Sequence, residues 1–195
     1  MSVTLVYIHG ATATSESFNY IREHIGGNDL VINYNSNEGF KENLEQMLVT
    51  LKDVNNIYFV AHSLGGIYSL HLSNLIPNQV LGAVTISTPY GGAVHADFAK
   101  YFLPFSKLLK DIGPSSWPMR HGDKIDIKHP WTNLVTIKGS APWIQEPNDG
   151  VVTIASQKHH SVGMELIEVD YNHYEVVLSD NTINIIKDKI SKILD

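Results

Sequence analysis

Ile57-Tyr58-Phe59-Val60-Ala61 is an apolar run without polar alternation, and it passes directly through His62 and Ser63 into a helical stretch. That join constrains the fold more than any other feature of the chain. A strand whose side chains are apolar on both faces must be covered on both faces, which is the condition of a strand inside a parallel sheet. A helix that begins at once must then fold back over the sheet. Ser63 therefore lies at a sharp reversal, with the small residues Ala61, Gly65 and Gly66 around it. Large side chains at Ala61 or Gly65 would clash within such a turn.

The same alternation runs through the chain. Val3–Ile8, Leu30–Tyr34, Val80–Ser87, Thr132–Ile137 and Leu166–Val169 read as further strands. Between them, a helix capped by Thr14 or Ser15 carries Phe18, Ile21 and Ile25, and Gly26-Gly27-Asn28-Asp29 ends it. The spacing predicts a helix from Glu38 to about Val54 with Phe40, Leu44, Met47, Leu48 and Leu51 on one face. The helix after Ser63 shows Leu64, Ile67, Leu70 and Leu75 on one stripe. A last helix, capped by Ser179 or Asp180, carries Ile183, Ile186, Ile190 and Ile193. The expected architecture is one α/β domain over residues 1–195, with about six mostly parallel strands flanked by helices.

One stretch breaks the rhythm. Residues 91–131 are too many for a simple connection. Phe98 to Ile112 can be helical, and the rest is interrupted by Pro114, Pro118, Gly122 and Pro130. The segment reads as a cap-like insertion over the carboxyl edge of the sheet, where such folds bind ligands.

Composition narrows the chemistry. The 195 residues carry no cysteine, which excludes disulfides, a thiolate nucleophile and a zinc–thiolate site. A net charge of −6 argues against nucleic acid or an anionic membrane as main partner. No apolar run approaches the length that spans a bilayer, and no signal-like leader precedes Val3, so a cytoplasmic protein without integral membrane association is expected. The adjacent His159 and His160 point apart with no third ligand in evidence, and no metal site is expected.

Four ordered motifs resemble the α/β-hydrolase superfamily, and within it the small bacterial lipases and esterases. They are His9-Gly10 after the first strand, Ala61-His62-Ser63-Leu64-Gly65-Gly66, Ser87-Thr88-Pro89-Tyr90-Gly91-Gly92, and Asp149-Gly150-Val151-Val152. The likeness spans Val3 to about Val177. The chain departs from larger members in starting at the His-Gly strand, and from the smallest lipases in the length of the 91–131 segment.

The resemblance implies an α/β-hydrolase fold and a Ser-acid-His triad in chain order. Ser63 is then the nucleophile. His173, in the loop after the last strand, is the base, in preference to His159 and His160, which precede that strand. Asp149 is the acid, with Glu146 as competitor. The N–H groups of Ala11 and Leu64 are the expected oxyanion donors. His9, His62, Tyr90, Phe102, Phe105 and Trp117 are expected to shape the substrate site, with Phe98, Tyr101, Leu108 and Leu109 on the same apolar face of the insertion.

The expected reaction is hydrolysis of a small-molecule carboxylic ester of short or medium acyl chain, through an acyl-enzyme and without a cofactor. A thioesterase or acyltransferase using the same residues, a true lipase, and a silent hydrolase fold acting as a binding module remain as alternatives.

Overall fold

A computed structural model describes residues 2–93, 107–160 and 162–194. Phe98, Tyr101, Phe102 and Phe105, named above as lining residues, lie outside them. Six strands form one sheet, ordered β2-β1-β3-β4-β5-β6: β1 (Thr4–Ile8), β2 (Asn28–Ile32), β3 (Ile57–His62), β4 (Val80–Ile86), β5 (Trp131–Thr136) and β6 (Glu165–Val169). Every neighbouring pair is parallel. The sheet is thus wholly, rather than mostly, parallel.

Strand periodicity explains why the apolar runs do not alternate with polar residues. Successive side chains point to opposite faces, and both faces are covered. Val6 and Ile8 of β1 and Ile57, Phe59 and Ala61 of β3 join one buried cluster. Leu5 and Tyr7, with Tyr58 and Val60, join the other. On the first face lie helices α2 (Phe40–Leu51) and α3 (Leu64–Leu75); on the second lie α1 (Asn19–Ile25) and the carboxyl-terminal helix Asp180–Leu194. Phe40, Leu44, Met47 and Leu51 are buried at helical spacing, and burial of each such side chain contributes roughly 1.5–3 kcal/mol.

Several boundaries differ from expectation for local reasons. β2 starts at Asn28, inside the segment read as a turn, because it is an edge strand whose first residues face solvent. Thr14 precedes a short 3-10 turn (Ser15–Phe18) before α1 and makes no side-chain cap. α3 is buried almost all round, with Tyr68, His71 and Leu72 inside, whereas Leu75 is exposed and leaves the proposed stripe.

Within 91–131, two helices are described: α4 (Lys107–Ile112) and α5 (Trp117–Gly122). The latter forms where Pro118 was read as an interruption. Proline near a helix start lacks an N–H that would have no partner there. The Asp111 carboxylate accepts from the Phe40 N–H at 2.8 Å and so caps α2. A short helix, Ile154–Gln157, was not anticipated at all; Thr153 Oγ1 caps it by accepting from the Ser156 N–H.

Candidate active site

Ser63 sits between β3 and α3 with φ 52° and ψ −123°. This left-handed φ is unfavourable for a residue with a Cβ, and the surroundings hold it there. The Ser63 N–H donates to Ile86 O at 2.8 Å, and Gly66 N–H donates to Ser63 O at 2.9 Å. The turn also demands close packing. A Cβ on Gly65 would lie 2.1 Å from Ile8 O, so α3 can start here only without a side chain. A Cβ on Gly10 would lie 3.1 Å from Ser63 Cβ, which shows how closely the loop after β1 abuts the serine. Ala11 follows Gly10 on that loop and is half-buried; Leu64 is the first residue of α3 and is buried.

His173 and Asp149 are brought together from two loops. His173 Nδ1 lies 2.7 Å from Asp149 Oδ2, and both side chains are buried. The backbone repeats the link, since the His173 N–H donates to Asp149 O at 3.1 Å. With Nδ1 donating to a carboxylate, Nε2 is the ring's acceptor. Asp149 Oδ1 accepts the N–H groups of Val151 and Val152 at 3.0 and 2.9 Å. Burial opposes ionisation of Asp149, yet hydrogen bonds from His173, Thr136 and Val152 outweigh it, and its pKa lies below the ordinary carboxylate value. Glu146, the competing acid, is exposed.

His62 ties the serine turn to the histidine loop. Its Nε2–H donates to His173 O at 2.9 Å, and the two rings are 4.8 Å apart. Burial, with repulsion from His173, pushes its pKa down to about 3, so it is neutral. His9 is buried and stacked on Tyr34, 4.4 Å between ring centroids. Its Nδ1 donates to Gly10 O at 2.8 Å and its Nε2 accepts from the Tyr34 N–H at 3.4 Å. Burial lowers its pKa as well.

The remaining expected residues are placed as follows. Tyr90 is buried, its hydroxyl accepting from Trp131 Nε1–H and meeting Thr85 Oγ1, each at 2.9 Å. Trp117 packs against Phe40, His71 and His121, with the Lys41 ammonium 4.5 Å from its ring centroid. It borders a cavity of about 240 Å³ shared with Phe40, Lys41, Lys107 and Asp111. His71 bonds to Pro118 O at 2.9 Å, across 47 residues. His159 pairs with Asp123 at 3.2 Å near the surface. Among the described residues, no three His, Asp or Glu side chains are grouped so as to hold a metal ion. None of the described helices is long and apolar enough to cross a membrane.

Two residues bonded to Asp149, Thr136 and Gln157, escaped the sequence reading, and Ser87, named there only within a motif, stands behind Thr136. A usable signal existed. β5 is buried along its whole length, yet it carries Thr132, Asn133 and Thr136. Polar side chains in a doubly covered strand need buried partners.

No family model matches the chain, and no curated protein matches it. Solved structures do. A lipase of Bacillus licheniformis, BlEst2 in its mature form, superposes with a TM-score of 0.73 at 16% identity, covering 96% of this chain and 91% of that one. The metagenomic carboxyl esterase MGS0156 gives 0.74 at 16% identity, covering 98% and 75%. An alpha/beta superfamily hydrolase from Oenococcus oeni gives 0.68 at 11% identity, covering 100% and 94%. A six-stranded parallel sheet covered on both faces, a strained serine between β3 and α3, and these likenesses together identify the fold of this chain as the α/β-hydrolase fold.

Proposed function

We propose that the chain is a serine hydrolase that cleaves carboxylic esters of short or medium acyl chain, with Ser63, His173 and Asp149 as its triad. The observation that carries this reading is the buried 2.7 Å pair of His173 Nδ1 and Asp149 Oδ2, tied through His62 to the strained serine turn. In this mechanism His173 Nε2 takes the Ser63 proton as Oγ attacks the ester carbonyl. The N–H groups of Ala11 and Leu64 hold the oxyanion. His173 then protonates the leaving alcohol, and afterwards takes a proton from the water that attacks the acyl-enzyme. Asp149 keeps the imidazole in the required tautomer and stabilises the imidazolium. No cofactor enters any step. Residues 91–131 form the cap in this reading, with Trp117 among the groups that set acyl-chain choice.

The test is labelling by an organophosphonate followed by peptide mass spectrometry. The label should fall on Ser63, and Ser63→Ala should abolish hydrolysis of p-nitrophenyl esters while remaining folded. Retained turnover in the purified variant would overturn the nucleophile assignment.

A further inference from the structure

We propose that Thr136 and Gln157 are positioning residues for the same reaction: together they orient the Asp149 carboxylate toward His173 and limit its basicity. This rests on the triad reading above.

The geometry separates two tasks at Asp149. Its Oδ1 is occupied by two backbone N–H groups, which suffices to fix a carboxylate in its own turn. Its Oδ2 faces three donors: His173 Nδ1–H at 2.7 Å, the Thr136 hydroxyl at 2.6 Å and the Gln157 amide at 3.2 Å. Only the first is needed by a triad. The other two come from β5 and from the helix Ile154–Gln157, and both residues are fully buried.

Gln157 has no freedom to do otherwise. Its Oε1 accepts from the Thr136 N–H at 2.9 Å, and its Nε2 donates to Thr136 O at 3.1 Å. Those two bonds settle which end of the amide is which and leave Nε2–H facing Asp149. Ser87 supports the arrangement from β4, with its Oγ 2.9 Å from Thr136 Oγ1. Ser87 is itself held at φ 52°, a strained conformation at the end of a strand.

Each donor to Oδ2 stabilises its negative charge and lowers its affinity for a proton. The Nδ1 proton therefore stays on the imidazole, and the field that the carboxylate exerts on the ring is moderated. Removing a donor concentrates charge on Oδ2 and makes the imidazole more basic. The other titratable groups facing the pair are the neutral His62 ring from β3, 4.8 Å away between centroids, and the Tyr174 ring beside His173, at 5.4 Å. Neither contacts Oδ2, so the Thr136 hydroxyl can be varied separately.

The experiment compares wild type with Thr136→Val, Thr136→Ser and Gln157→Glu, using p-nitrophenyl butyrate from pH 5 to 9. Thr136→Val should lower kcat about tenfold with KM little changed. The ascending limb of its kcat/KM profile should move up by about half a pH unit to one unit. Thr136→Ser, which restores the hydroxyl, should recover both. Gln157→Glu keeps the acceptor for the Thr136 N–H but sets a second carboxyl against Asp149, and should be the least active. The low-field proton resonance of His173 Nδ1–H should move in Thr136→Val, a readout independent of turnover. An unmoved limb and resonance in Thr136→Val, or equal losses in the valine and serine variants, would overturn the inference. Failure of wild type to be labelled at Ser63 would instead strike the catalytic reading itself.

Discussion

The His62 imidazole gives its Nε2 proton to the backbone carbonyl oxygen of His173 across 2.9 Å, and it does so as a neutral ring wholly inside the protein. Burial of that ring, which outweighs the opposite pull of its bond to His173 O, makes stability depend on pH in a definite direction. The folded pKa, about 3, lies below the unfolded value of 6.5. Below pH 6.5 the unfolded chain binds a proton that the folded chain refuses. Stability is therefore complete above that pH and declines as pH falls toward 3. For His62 the loss between pH 7.5 and pH 5 is about 2 kcal/mol. His9, His71 and His160 are also lowered, chiefly by burial, and add to it in the same sense. Urea unfolding at the two pH values should show the decline, and His62→Gln should flatten it. A slope unchanged in that variant would refute the assignment.

Gly65→Ala should be far more harmful than Gly66→Ala. The new Cβ at Gly65 meets backbone, 2.1 Å from Ile8 O and 2.7 Å from His9 O, neither of which can rotate away. At Gly66 it meets only side-chain atoms of the buried Thr88, from Oγ1 at 2.0 Å to Cβ at 2.8 Å, so that relief requires Thr88 to shift rather than the backbone of β1. Overpacking of the second kind costs about 1–3 kcal/mol, and the first kind more. Thermal melts of both variants check the order; equal destabilisation would contradict it.

Asp149→Asn should lower kcat by about 10⁴-fold, because the amide can neither fix the tautomer nor stabilise the imidazolium. Glu146→Gln, on an exposed side chain, should leave turnover within about twofold of wild type. His173→Ala should be severe where His159→Ala and His160→Ala are mild. Steady-state kinetics on one activated ester would decide, and a greater loss in Glu146→Gln would reassign the acid.

Trp117→Ala should shift acyl-chain preference. The ring borders the 240 Å³ cavity with Phe40 and Pro118, among the charged Lys41, Glu42, Lys107, Lys110 and Asp111, and its removal would take away a large part of the apolar wall there. Rates over p-nitrophenyl acetate to laurate, measured for Trp117→Ala, Phe102→Ala and Phe105→Ala, give the test. An unchanged chain-length profile in all three would remove the insertion from the acyl pocket. Activation of wild type at the surface of long-chain emulsions would favour a true lipase.

The sheet was legible because its strands are doubly covered. Uninterrupted runs such as Ile57–Ala61 have no reading as exposed structure, and Gly65 beside Ser63 marks a turn that tolerates no side chain. Legibility failed where burial was uneven. Asn28 and Asp29 read as a turn because the edge strand exposes them, and Leu75 read as core although the end of α3 leaves the sheet. His173 and Asp149 followed, as candidates, from the chain order that the resemblance implies and from turn chemistry. Thr136 and Gln157 did not, since their bonds join residues 8 to 21 positions apart through side chains common on surfaces. His62 was noted as a neighbour of Ser63, but its bond to His173 spans 111 residues and leaves no local mark.

Because every strand runs the same way, the molecule has two unlike rims. Ser63, Ser87 and Thr136 all stand at strand carboxyl ends, whereas Gly26-Gly27, Lys52–Asn56 and Pro77–Gln79 lead into strand beginnings on the opposite side. A tether or fused partner attached there would leave the rim that carries Ser63 open to the medium. Lys52, exposed at the end of α2, offers an amine for such an attachment. Immobilisation through it would orient the whole population of molecules with the serine turned outward from the support.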